Sequence, residues 1–441
     1  MEIGLGDSQI GSHPLNEETE HTSKQRNKDS VLAAKLLETL KDLPQSSTAC
    51  SIYKVPVNLR STNESAYTPK VVSIGPIHHG VDRLKPMELQ KHRYLKTLLD
   101  RDPNLVLENV VKSFRNLEEN ARNHYRNETT ISFSSDQFVE MMLLDASFIV
   151  GVLDVDTRDK HEPLMFNSGP LANNSYWDLI LLENQIPFFV LEKLYEITKF
   201  TDNQVSLWNK TFNYFHDRVQ RDQVVALLLS PNHQVKHFVD FMLQSNLPNR
   251  TYRQTPHANR KYIHLPSATE LRDSGVKFTK GQMSNFMDIS FRNGVLEIPT
   301  LRVIEHSELF FRNLMAMEQC HESSTFYITD FMQVMDFLVN TANDVALLRG
   351  CGIIKHNLGS DEDVCQLFNN LFKGVLRTPR LSHYYEIYVD VSAYYNKGWN
   401  LLKARLKRDY FSNPWAIVSF IAAVVLLLCT LTQTVFSILS A

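Results

Sequence analysis

The residues of this sequence that could do chemistry are histidine pairs, carboxylates inside apolar runs and glycine-containing turns. His233 and His237 stand four residues apart, the spacing that sets two imidazoles on one helix face as in zinc sites. No acidic third ligand follows at the expected offset, so the expectation is a surface or half-buried pair, with no metal assigned. His78 and His79 are adjacent in a turn punctuated by Gly and Pro, where neighbouring side chains point apart. That suits a structural or partner-contact role better than chelation. Arg349-Gly350-Cys351-Gly352 has two glycines but lacks the Lys-Ser/Thr of a phosphate cradle and the full dinucleotide spacing. No Gly-x-Ser-x-Gly elbow occurs, and Cys50, Cys320, Cys351, Cys365 and Cys429 have no recognisable protease context.

The strongest cluster is Glu183-Asn184-Gln185, set inside the apolar run from Trp177 to Tyr195, with Asp145 on the preceding apolar helix as a further member. Read as an enzyme pocket, Glu183, Gln185 and Asp145 would converge on a solvent-connected polar cavity. Read as structure, they would bond backbone groups that Pro187 frees at a bend. Buried polar groups must be paired, which favours the structural role. No catalytic residue, cofactor or metal is assigned.

The elements that position these residues are mainly helical. Val31 to Leu43 forms a short amphipathic pattern that Pro44 ends. Ser51 to Pro56 and Lys70 to Pro76 are short extended stretches. Pro86 opens a helix through Leu99, and Leu107, Val110, Val111, Phe114, Leu117 and Ala121 form an apolar stripe with Glu118 and Arg122 paired outside it. Ser134 and Gln137 resemble a capping box ahead of the apolar helix from Met141 to Val152. Trp177 to Tyr195 reads as two buried helices meeting at Pro187. Further helices are expected at Val205 to Leu229, Gln234 to Leu243 and Ser267 to Ser274, the last with Ser267 and Glu270 at capping-box spacing. Asn293-Gly294, flanked by Ile289, Phe291, Leu296 and Ile298, predicts one β-hairpin. A stripe from Leu381 through Tyr385, Tyr388, Val391, Tyr395, Trp399 and Leu402 to Leu406 reads as packing. The fold class is thus mainly α: a large helical domain with short extended segments, one β-hairpin and a C-terminal transmembrane helix.

The 441 residues carry 46 Lys+Arg against 49 Asp+Glu, a formal net charge of -3, too balanced for the phosphate attraction of nonspecific nucleic-acid binding. From Trp415 to Ala441 no residue is charged. Pro414, Trp415, Ile417, Phe420, Leu426, Leu427 and Leu428 belong to a run long enough to cross a bilayer, and Asn413-Pro414 supplies its helix start. Lys403, Arg405, Lys407 and Arg408 precede it, so the positive-inside bias puts the N-terminal part in the cytosol. The expected organisation is a tail over residues 1–44, a helical domain over 45–400, a basic juxtamembrane segment over 401–413 and an anchor over 414–441. The expected contacts are the lipid bilayer and an unidentified protein partner, at the plasma membrane or endoplasmic reticulum.

Ordered blocks across nearly the whole chain resemble a plant family catalogued as domain of unknown function 247 and uncharacterised protein family 0481. They are Ile52-Tyr53-Lys54-Val55-Pro56, Ser73-Ile74-Gly75-Pro76-Ile77-His78-His79-Gly80, Leu182 to Phe188, Ala268 to Leu271 with Gly275 to Phe278, Arg312 to Gln319, and Leu358 to Glu362. Ile77 stands where members often carry an aromatic, and Ala146-Ser147 where Gly-Cys is common. The resemblance implies a plant membrane protein without established enzymatic activity, some grass members being implicated in self-incompatibility. The expected function is a membrane-tethered noncatalytic recognition or signalling scaffold, the alternative being an enzyme at the Glu183 pocket.

Overall fold

The computed structural model describes residues 28–38, 40, 50–154, 170–198, 205–216, 235–248, 260–282, 285–321, 326–375, 382–397 and 414–439. The chain divides into two units, Met1–Thr48 and Ala49–Ala441. In the first, residues 28–38 and 40 are helical and form helix α1, which begins three residues before the amphipathic stretch expected over Val31 to Leu43.

The second unit begins with extended chain and the single turn α2 (Val57–Arg60). Pro at the first helical position opens α3 (Pro86–Arg101), which buries Met87, Lys91, Tyr94 and Leu98 on one face. The predicted stripe forms α4 (Leu107–Asn123), burying Val110, Phe114 and Ala121, while Arg122 donates to Glu118 at 2.9 Å outside it. After the turn α5 (Asn127–Thr130) comes α6 (Ser135–Asp154). Its capping box is reciprocal: Gln137 N–H donates to Ser134 Oγ at 3.2 Å and Ser134 N–H to Gln137 Oε1 at 3.0 Å. Most of α6 is buried, because it packs against α3, α4 and α8 (Phe188–Ile197) at once.

Between α7 (Pro170–Asp178) and α8 the chain departs from expectation. Instead of two helices bent at Pro187, residues 179–187 run as buried turns and extended backbone. Pro187 itself is extended, with ψ 137°, and caps α8. Turn hydrogen bonds, the Gln185 side chain and the distant Asn313 and Tyr125 satisfy this backbone, so the apolar run is not held to a helix.

Helices α9 (Leu207–His216), α10 (Phe238–Ser245) and α11 (Ala268–Asp273) follow. Ser267 and Glu270 form the predicted capping box of α11. Strand β1 (Lys277–Lys280) joins β2 (Ser290–Arg292) and β3 (Val295–Ile298) in a sheet of order β1-β3-β2. The predicted hairpin is β2 against β3, with Phe291 opposite Leu296, turning through Asn293 (φ 51°) and Gly294 (φ 79°). Two parallel pairings go beyond that expectation: β1 with β3, and β4 (Leu301–Val303) with β5 (Ile354–His356). Helices α12 (Ser307–Cys320), α13 (Tyr327–Leu338), α14 (Ala342–Gly350) and α15 (Asp361–Leu371) pack on one another, with α14 also against β5, and α16 (Tyr385–Tyr395) lies on β2.

The last element, α17, is the helix Pro414–Leu439, beginning where the sequence places it. Within it Val418–Leu439 spans 22 residues with mean hydropathy 2.2 and no burial, including Phe420, Leu426, Leu427 and Leu428. At 1.5 Å per residue this is about 33 Å, long enough for a hydrocarbon core of about 30 Å. Pro414, Trp415 and Ile417 form its first turn. Lys403, Arg405, Lys407 and Arg408, together with His233, lie outside the described residues.

Candidate functional site

Residues 50–80 have little secondary structure of their own, so their backbone donors must find partners elsewhere. The partners come from the segment that the sequence singles out. Glu183 Oε1 accepts Val55 N–H at 2.7 Å. Asn184 accepts Ile74 N–H at 2.7 Å and donates to Val72 O and Asp178 O, both at 3.0 Å. Asp178 accepts three consecutive amides, from Lys70, Val71 and Val72, at 2.8, 2.6 and 2.9 Å. Gln185 turns inward, donating to Leu179 O and Leu181 O at 2.8 Å and accepting Phe238 N–H at 3.0 Å. Asn313, on α12, closes the brace by accepting Leu182 N–H and donating to Ala66 O, both at 2.8 Å.

Asp145 joins this group through Gly75. Gly75 N–H donates to Asp145 Oδ2 at 2.7 Å, and a Cβ on Gly75 would lie 2.3 Å from the Gln185 carbonyl oxygen. With φ at 72°, the position calls for glycine twice over. The charges are paired as well as buried. Lys91 Nζ sits 2.6 Å from Asp145 Oδ1 and donates to Ser73 O and Glu88, both at 2.7 Å. Arg60 and His78 meet Glu183 Oε2 at 2.6 and 3.1 Å. Asp145, Glu183, Asn184 and Gln185 are each at most 4% exposed.

Burial drives the electrostatics of these groups. It pushes the Asp178 carboxyl up to about 6, against the pull of the three amides that bond it. Burial alone would pull the Lys91 ammonium down; the carboxylates of Asp145 and Glu88 outweigh it and hold Lys91 above its ordinary value. Proton traffic at Asp145 or Asp178 would break bonds that hold the chain in place. The arrangement acts as a polar brace that fastens residues 50–80 to the helical core.

The remaining sequence candidates fall into structural roles. His237 corrects the expectation of a surface or half-buried pair: it is 1% exposed and N-caps α10, accepting Asp240 N–H, with Nε2 2.9 Å from Ser51 O. Burial pushes its pKa down to about 4. His78 and His79 do point apart, the first to Glu183 and the second against the Phe133 ring. Arg349-Gly350-Cys351-Gly352 ends α14 and leads into β5, with Gly352 at φ 75°. Among the described residues no group of three or more His, Cys, Asp or Glu is arranged to hold a metal ion.

Sequence reasoning missed Asp178, Asn313, Lys91 and Glu318. Lys91 carried a signal, since it falls in the stripe Met87, Tyr94, Leu98 of an amphipathic helix, a place for a lysine only if an acid waits inside. Glu318 is fully enclosed; it accepts the amides of Ile328 and Thr329 at 2.8 and 2.9 Å and the Thr329 hydroxyl at 2.7 Å, tying α12 to the start of α13. Burial pushes its carboxyl up to about 7.

Fold and brace together define a mainly helical chain with a terminal apolar helix and an internally bonded polar core. The family described as plant protein of unknown function, domain of unknown function 247, matches residues 52–429, and the chain belongs to it. It is similar to the UPF0481 protein At3g47200 of Arabidopsis thaliana, 30% identical over 418 residues that cover 89% of this chain and 87% of that one. The putative UPF0481 protein At3g02645 of the same plant is 23% identical over 476 residues, covering 87% and 89%. No solved structure matches.

Proposed function

We propose that the protein is a membrane-tethered, noncatalytic recognition or signalling scaffold. One observation carries the noncatalytic part: the carboxylates and amides best suited to chemistry, Asp145, Asp178, Glu183, Asn184 and Gln185, are spent on backbone and ion-pair bonds inside the core. The tether is α17, an unburied apolar helix long enough to span a bilayer. Lys403, Arg405, Lys407 and Arg408 before it favour a cytosolic domain. In this reading residues 1–44 are a tail, 45–400 the recognition domain, 401–413 the juxtamembrane segment and 414–441 the anchor, and the domain's surface meets a protein partner.

Deleting residues 412–441 tests it. The full chain should pellet with membranes and resist alkaline carbonate extraction, whereas the truncated chain should move to the soluble fraction. Retention of the truncated chain in carbonate-washed membranes overturns the tether. Proximity labelling from both forms then reads the neighbours; a set that depends on the anchor supports recognition at the membrane.

A further inference from the structure

We propose that three imidazoles form a clasp that releases residues 50–53 at mildly acid pH. His124 caps the end of α4, His237 the start of α10 and His321 the end of α12. All three converge on the head of the segment, ahead of Val55, where the brace begins. The His124 carbonyl accepts the Ser51 and Ile52 amides at 3.0 and 2.9 Å, and its Nδ1 lies 2.9 Å from Ser51 Oγ. His237 Nε2 donates to Ser51 O at 2.9 Å. Tyr53 Oη donates to Cys50 O at 2.7 Å and meets His321 Nδ1 at 3.2 Å.

Two of these rings hold their places only while neutral. A backbone N–H can only donate, so His237 Nδ1, which takes the Asp240 amide at 3.3 Å, keeps its lone pair, and the ring proton sits on Nε2, where Ser51 O needs it. The Lys236 ammonium likewise donates to His321 Nε2 at 3.3 Å, which leaves the proton of that ring on Nδ1, facing Tyr53. A second proton on either ring sets N–H against N–H. The surroundings add to the cost. Lys236 acts on His124, His237 and Cys50, and Arg126 on Cys50 and Cys320. The acids facing the group are Asp240, whose Oδ2 already takes the Lys236 amide and Gln244, and Glu183 beside Cys320. Burial, helped by Lys236, pushes both His124 and His237 below their ordinary value and at His237 outweighs Asp240. The clasped chain therefore binds fewer protons than the released one. Its hold is complete well above the ordinary histidine value of about 6.5 and is lost as pH falls from there toward 4. Release bares Ile52 and Tyr53, both buried in the clasped chain. Nothing in the clasp depends on α17.

The test is hydrogen exchange read by mass spectrometry on the full-length chain in detergent micelles at pH 7.0 and 5.5, with labelling times scaled to the intrinsic exchange rate. From His237 alone, the opening equilibrium at residues 50–53 and at the Asp240 amide should rise about eightfold between the two conditions. Peptides from α6 should change by less than about twofold. His124→Asn with His237→Asn keeps an acceptor for the Asp240 amide and cannot titrate, so the rise should drop below about threefold. A wild-type rise under about twofold at residues 50–53, or an equal rise in α6, overturns the proposal. So does a doubly substituted chain that is folded at pH 7.0 by near-ultraviolet circular dichroism and keeps the wild-type rise. Should that chain not fold, the wild-type comparison of residues 50–53 with α6 decides alone.

Discussion

Replacing Lys91 with methionine keeps the length of the side chain and removes the charge that Asp145 faces at 2.6 Å. The two side chains are 0% and 1% exposed, so no water takes over the vacated contact. Removing one partner of a buried pair costs about 3–5 kcal/mol. Two features hold the loss toward the lower end: Gly75 N–H still bonds Asp145 Oδ2, and the acid can take up a proton. With an unfolding entropy of about 2 cal/mol/K per residue, a unit of about 390 residues (Ala49–Ala441) changes its midpoint by about 1.3 °C per kcal/mol, so Lys91→Met should melt about 4–6 °C lower. Near-ultraviolet circular dichroism of detergent-solubilised full-length protein reads that shift. The pH dependence has a definite sign. Without its cation, Asp145 has a folded-state pKa above its unfolded value, so the folded variant binds a proton that the unfolded chain releases. The variant's deficit therefore shrinks as pH falls from 7 toward 4. Adding Asp145→Leu should recover part of the loss, because an apolar pair leaves no stranded charge. A midpoint for Lys91→Met within about 1 °C of wild type at pH 7 would refute the claim that this pair fastens the fold.

Glu318 makes a second pH prediction. Its folded carboxyl is held up to about 7 by burial against an ordinary 4.5, so the stability it contributes is complete below the lower value and is lost as pH rises through the upper one. The change is at most about 3 kcal/mol. Urea unfolding at pH 5 and pH 8 should show wild type losing this stability and Glu318→Gln keeping a flatter profile; equal changes in the two proteins contradict it. Gly75→Ala combines a left-handed backbone with a clash against the Gln185 carbonyl and should cost about 2–5 kcal/mol. Gly80→Ala, at φ 81° in open space, should cost only about 1 kcal/mol, and equal losses at the two sites would remove the role given to the close approach.

What was legible in the sequence was what neighbours in the chain decide. Ser134 with Gln137, Ser267 with Glu270, and Asn293-Gly294 are signals closed within four residues, and each stands where expected. The run from Trp177 to Tyr195 failed because its conformation is set by distant groups: Asn313 holds the amide of Leu182, and the chain around Val72 binds Asn184 and Asp178. Apolar periodicity cannot register such partners. Strands β1 and β4 were equally silent, since three or four residues reading Lys-Phe-Thr-Lys or Leu-Arg-Val become strands only when Val295–Ile298 and Ile354–His356 arrive beside them. The polar cluster was visible as an anomaly in an apolar run; its purpose became visible only with residues 50–80 laid against it.

The brace also sets a timetable for synthesis. Ala66 waits for Asn313, 247 residues later, and Val55 waits for Glu183, 128 residues later. At translation speeds of about 5–20 residues per second, the first of these delays lasts roughly 12–50 s. Until residues 145–184 emerge, the amides of Val55, Lys70, Val71, Val72, Ile74 and Gly75 lack these partners, while apolar Ile52, Val55, Tyr67 and Ile74 lie beside them without the core that buries them. Residues 50–80 are therefore secured well after they are made, most of them only once residue 184 has emerged.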